Sequence, residues 1–161
     1  MAQSTWLQLV SGEEIQELRA DPLRINRLDK PDWYSTHFGA ALNYFLTGDP
    51  WPGPDDHELW PVLGGTETIA CPTLENNAFM VVASDVAAQL AARLATVDLA
   101  SVEAAVGQAD FDELVDEQEL YELELITPEE APEIIVSEIT RLTAFYAKAR
   151  ASQLGVVMYT S

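Results

Sequence analysis

Residues 28 to 48 read LDKPDWYSTHFGAALNYFLTG. This stretch places two acids, a base, a Trp, two Tyr, a His and an Asn on one apolar-faced segment that closes on Thr47-Gly48. Phe38, Ala41, Leu42 and Phe45 recur at helical spacing, which predicts a helix starting near Asp32 or Ser35. Gly48 suits the left-handed residue that stops a helix.

Working outward, Trp6, Leu7, Leu9 and Val10 predict a first strand. Ser11 then caps a helix, with Glu14 three residues on completing a capping box, Ile15 and Leu18 facing inward, and Asp21-Pro22 ending it. After Gly48, the stretch from Asp49 to Gly65 holds Pro50, Pro52, Pro54 and Pro61 with Gly53, Gly64 and Gly65. It excludes a long regular element and allows one short helical turn between Asp56 and Leu63, against Pro61. A loop of this length is functional or packed down by its own side chains, and Trp51, Trp60 and Leu63 suit packing.

Ala78 to Ala83 reads as a short buried strand, and Ser84 as the cap of a helix with Val86, Leu90, Leu94 and Val97 on its apolar side. Asp98 caps the next helix, which Gly107 stops, and Phe111, Leu114 and Val115 form a further turn or two. Tyr121 to Ile126 alternates polar and apolar as a half-buried strand does. Thr127 caps the last helix with Pro128 at its first position. Ile135, Ile139, Leu142, Tyr146 and Ala149 carry that helix to Gly155, and Val156 to Tyr159 make the last strand. The expected fold is α+β: a single domain over residues 1–161, a small mixed or antiparallel sheet with helices packed on one side of it.

Composition bounds the function. The 161 residues are 48% apolar, enough to build a core. No run reaches the roughly 18 apolar residues of a membrane span, and Met1 to Thr5 shows no basic-then-apolar leader, so the expected location is the cytoplasm. The single Cys71 excludes an internal disulfide and a thiolate zinc site. With 27 acids against 8 bases the net charge is −19, and between Leu94 and Thr140 there is no Lys or Arg at all. Binding nucleic acid through phosphates needs Lys and Arg on one face, so nucleic acid and anionic membranes are excluded as partners. A charge of this size keeps a protein soluble, and it also steers basic partners.

The chemistry-bearing residues concentrate in the opening segment. Asp29, Lys30, Trp33, His37, Asn43, Tyr44 and Thr47, with Trp51 and Trp60 from the following loop, form a candidate polar pocket with aromatic walls. His37 has the acid–base range for catalysis, Asp29 is placed to orient it, and Tyr44 and Thr47 to hold a ligand. The competing reading is a polar network fixing the helix against the loop. Asp55-Asp56-His57-Glu58 has no metal-ligand spacing, and the acidic run from Asp110 to Glu119 lacks the Gly and ligand order of a calcium loop. Both read as solvated charge, and no metal or cofactor is expected. Gly64-Gly65 fits no phosphate-binding pattern, and no Gly-x-Ser-x-Gly elbow occurs.

The chain resembles the YfbM-like family, small bacterial proteins carrying a domain of unknown function. The resemblance rests on Leu28-Asp29-Lys30 with Trp33, Tyr44 to Gly48, Pro61 to Gly65, the Ser84–Val97 segment leading to Phe111 and Tyr121, and Phe145-Tyr146-Ala147 with Gly155 to Tyr159. Where the family pattern has a His ahead of Leu-Thr-Gly, this chain has Asn43. The resemblance implies a single α+β domain in the bacterial cytoplasm and no established activity. From the charge and the lack of a complete catalytic set, the expected function is that of an acidic binding or accessory protein engaging a basic protein partner in the manner of an immunity protein, as monomer or dimer. The alternative is a small-ligand-binding protein or hydrolase-like enzyme built around Asp29, Trp33, His37 and Tyr44.

Overall fold

The computed structural model of the protein describes residues 3–28, 32–53 and 55–161. Its five strands are β1 (Thr5–Val10), β2 (Trp33–Thr36), β3 (Glu67–Ala70), β4 (Ala78–Val82) and β5 (Gly155–Thr160). They form one sheet in the order β2–β1–β5–β4–β3, antiparallel throughout. The helices are α1 (Gly12–Ala20), α2 (Gly39–Thr47), α3 (Pro61–Gly64), α4 (Ser84–Leu94), α5 (Leu99–Gln108), α6 (Phe111–Gln118) and α7 (Ala131–Ser152). Two 3₁₀ segments, Pro22–Arg27 and Tyr121–Leu125, complete the list. The architecture is α+β.

The last strand lies in the middle of the sheet. Leu7 pairs with Met158 and Leu9 with Val156, and on the other side Met80 pairs with Met158 and Val82 with Val156. Directly opposed residues in a sheet share a face, so these side chains make one apolar layer. On it lie α4 and α7, which bury Leu90, Leu94, Ile135, Ile139, Leu142 and Tyr146. Each of these large side chains contributes about 1.5–3 kcal/mol by leaving water. The expectation of helices on one side only is corrected by the opposite face. There α1 and the segment Pro22–Arg27 bury Ile15, Leu18 and Ile25 against Val10, Phe79, Val81 and Val157. Being covered on both faces explains why Val156, Val157 and Met158 run apolar without alternation.

Local signals fixed much of this. Ser11 and Glu14 make the reciprocal capping box of α1, and Asp98 accepts from the amides of Ala100 and Ser101 at the start of α5. Gly48, at φ 88°, ends α2. Elsewhere the structure departs from the sequence reading. The expected helix start at Asp32 or Ser35 is instead β2, with Tyr34 and Thr36 inward and Trp33 outward, and α2 begins at Gly39. Tyr121–Leu125 is a 3₁₀ segment rather than the expected strand, with Leu120 and Leu123 buried at a period of three.

The remaining differences are at boundaries. Gly107 lies inside α5, and Ser84 opens α4 with Ala83 at the cap position. Pro61 is the first residue of α3 rather than a neighbour of it. Thr127 and Glu130 exchange capping-box hydrogen bonds one turn ahead of α7, which starts at Ala131. Gln153, at φ 56°, ends α7, while Gly155 opens β5. No helix among the described residues is long and apolar enough to cross a membrane.

Candidate functional site

The helices do not cover the whole of their face. Beyond Leu7, Met158 and Val82, the same face continues through Thr5, Thr160, Ala78 and Met80, and these floor a cavity of about 820 Å³. Its walls are the first turns of α2 (Gly39, Ala40, Asn43), the Trp51-Pro52 loop, Trp60 with Leu63 and Gly64 of α3, and the chain leaving α6 (Glu119, Tyr121, Glu122, Glu124, Leu125). His37, Gln3 and Asn76 stand at the margin.

Each wall is tied down. The Tyr146 hydroxyl, fully buried on α7, donates to the carbonyl of Val62 at 2.6 Å and so pins α3 to the core. Burial raises the pKa of that phenol well above its usual value, so it stays a donor. The Asn43 amide donates to the Pro50 carbonyl at 3.2 Å, and Asp49 Oδ1 accepts from the Trp51 amide at 2.8 Å. Held from below by these bonds, the Trp51 indole is 71% exposed at the mouth.

The α2 amino terminus has no cap from its own neighbour, Phe38. Glu122 supplies one from 81 positions further along: its Oε1 accepts from the Ala41 amide at 2.8 Å. A carboxylate suits the positive end of a helix. Burial nevertheless raises the Glu122 pKa above the ordinary carboxylate value, against the smaller opposing effect of hydrogen bonds from its own amide and that of Ala41. The cavity thus carries Glu119, Glu122 and Glu124, and no Lys or Arg among its described lining.

Of the residues singled out in the sequence, His37, Asn43, Trp51 and Trp60 line this cavity. Asp29 and Lys30 lie outside the described residues. Trp33 is on the other face of the sheet, its ring 5.2 Å from that of Trp6 and half-exposed. This follows from the strand: alternation sends Tyr34 to the core and its neighbour away from it. Tyr44 packs edge-on against Phe45, and the Thr47 hydroxyl lies 2.7 Å from the Asn43 carbonyl and accepts from the Asp49 amide at 3.2 Å, so both serve α2 and its exit.

His37 Nδ1 lies 3.0 Å from the Ser4 hydroxyl in a hydrogen bond. The loop acids act locally as well. Asp56 accepts from the Gly53 amide, His57 Nδ1 accepts from the Leu59 amide, and Glu58 pairs with Arg93. No cluster of His, Cys, Asp and Glu suited to a metal occurs among the described residues. Sequence reasoning missed Tyr121, Glu122 and Leu125, because a strand reading gives Glu122 to solvent. The period of three through Leu120, Leu123 and Ile126 was the available signal.

A family model describing a domain of unknown function, DUF1877, matches residues 4–159. The chain belongs to this family. Among solved structures it is similar to YfbM from Escherichia coli, described as a protein of unknown function, at TM-score 0.73 and 14% identity, covering 98% of this chain and 99% of that one. At that identity the likeness is one of fold, and the YfbM-like resemblance read from the sequence holds. No curated protein matches the chain.

Proposed function

We propose that the protein is a binding protein that captures a positively charged segment of a partner protein in the cavity at the uncovered end of its sheet. The observation that carries this reading is the composition of the rim. Of the large apolar side chains exposed in the described structure, Leu23, Trp33, Trp51, Tyr121 and Leu125, the last two and Trp51 line this one cavity. They alternate there with carboxylates that no Lys or Arg of the described residues neutralises. Exposed aromatic faces beside unpaired carboxylates favour a guest that is cationic and partly apolar. The net charge of −19 adds long-range attraction for the same class of partner. An accessory role in the bacterial cytoplasm, as monomer or dimer, fits this reading and the family resemblance.

The second reading, a hydrolase-like enzyme acting on a small ligand, draws on the Ser4–His37 hydrogen bond at the cavity margin. A nucleophile of that kind needs a further group to orient the imidazole. None is bonded to His37 among the described residues, which leaves binding as the better supported function.

Titration of tryptophan fluorescence with a short peptide of mixed basic and apolar residues tests the proposal. The expected result is saturable binding that weakens at about 1 M salt, where the Debye length is about 3 Å, and that is lost in Trp51→Ala. Non-saturating association that Trp51→Ala leaves unchanged would mean a diffuse polyanion and would overturn it.

A further inference from the structure

Resting on that reading, we infer that Glu122 is the anchoring counter-ion of the cavity and that its ligand is an arginine side chain of the partner segment, its guanidinium held by Glu122 and laid against the aromatic rim. The three glutamates of the lining are not equivalent. Glu119 and Glu124 are exposed, where water and salt screen a carboxylate and an ion pair gains little. Glu122 is half-buried in the lining, bonded to the α2 amino terminus.

A carboxylate offers about four acceptor sites. Besides its own backbone, Glu122 meets one donor among the described residues, the Ala41 amide on Oε1. With its own amide and that of Ala41 counted, about two acceptor sites remain for a ligand, and the paired oxygens of a carboxylate suit the two parallel N–H groups of a guanidinium. The ammonium of lysine meets the same carboxylate as a compact, strongly hydrated point charge, which is harder to strip of water beside Trp51 and Tyr121. Guanidinium is planar, weakly hydrated and stacks on aromatic faces. The geometry therefore ranks arginine above lysine.

The test uses the full chain and a capped tetrapeptide with one arginine flanked by alanine and leucine. Companion peptides carry lysine or the neutral isostere citrulline at that position, and methylguanidinium serves as the free small cation. Affinity is read by isothermal titration for the wild type, Glu122→Gln and Glu124→Gln, with near-ultraviolet circular dichroism confirming that each variant is folded.

The expected pattern is that replacing arginine by citrulline weakens binding to the wild type by about tenfold or more, the scale of a charge-assisted hydrogen bond. The lysine peptide falls between them. Glu122→Gln removes the preference for arginine over citrulline, and Glu124→Gln keeps it. A wild type that binds basic peptides while Glu122→Gln keeps the arginine preference would overturn the anchor and leave the binding function standing. The same holds if lysine binds as well as arginine. Methylguanidinium binding as tightly as the peptide would overturn the partner-segment identity, and a wild type that binds none of the peptides would overturn both proposals. The ligand-side comparison does not depend on any variant folding.

Discussion

Glu122 sits at the junction of two roles, capping α2 and lining the cavity as one of its three carboxylates. Its protonation should therefore be visible in stability. Burial raises its folded-state pKa above the ordinary 4.5. An acid whose pKa rises on folding holds its proton more tightly when folded. Its stabilising contribution is complete below the unfolded value and is lost as pH climbs through the folded one. Glu122→Gln cannot titrate, yet keeps an oxygen for the Ala41 amide. The stability of the wild type relative to this variant is expected to fall as pH rises from 4.5 and then to level off. Urea melts across a pH series check this, with His37, Glu119 and Glu124, which face the same cavity, unchanged in both proteins. A wild type that gains on the variant as pH rises would mean that the folded protein favours the charged form.

At the scale of elements, the close packing around β5 is the most demanding feature. An ideal Cβ on Gly155 would lie 2.5 Å from the Val82 carbonyl oxygen and 2.9 Å from Ile15 Cδ1, so the first clash is with backbone that cannot turn aside. Gly155→Ala is expected to cost about 3 kcal/mol, the upper range for overpacking. Gly48→Ala meets open space and loses only the ease of a positive φ, about 1 kcal/mol. Urea midpoints at unchanged slope measure both, and equal losses would contradict the tight strand–helix junction.

The same elements show what was legible in the chain. Capping residues and amphipathic runs carried α1, α5 and α7, since their causes are local: Ser11 with Glu14, Asp98 with its two amides, and the inward stripe from Ile135 to Ala149. β2 is obscured by the helical spacing of Phe38 to Phe45, which adjoins Trp33 to Thr36, a run rich in residues that favour strands. Tyr121 to Leu125 alternates like a strand, but Leu120 and Leu123 bury three apart against the helical core, a fact that exists only in the assembled fold. With that segment read as a strand, one wall of the cavity is out of sight. His37, Asn43, Trp51 and Trp60 pointed to the place, and the glutamates that set its sign did not stand out from the general excess of acid.

For the molecule as a whole, a sheet covered on both faces over its central strands becomes open at one end of the helical face. The excess charge is spread widely, but the apolar and aromatic rim is not. On the proposed function, attraction at long range therefore has many sources, while a specific complex would use one site. Amide chemical-shift mapping of the full chain during titration with the arginine peptide tests this most directly. The expected result is a set of saturating shifts confined to Gly39–Asn43, the Trp51 and Trp60 indoles, Tyr121–Leu125 and Thr160, with α5 and the outer face of α6 unmoved. Shifts spread across the acidic surfaces of α5 and α6, with the cavity residues silent, would contradict a localised binding site.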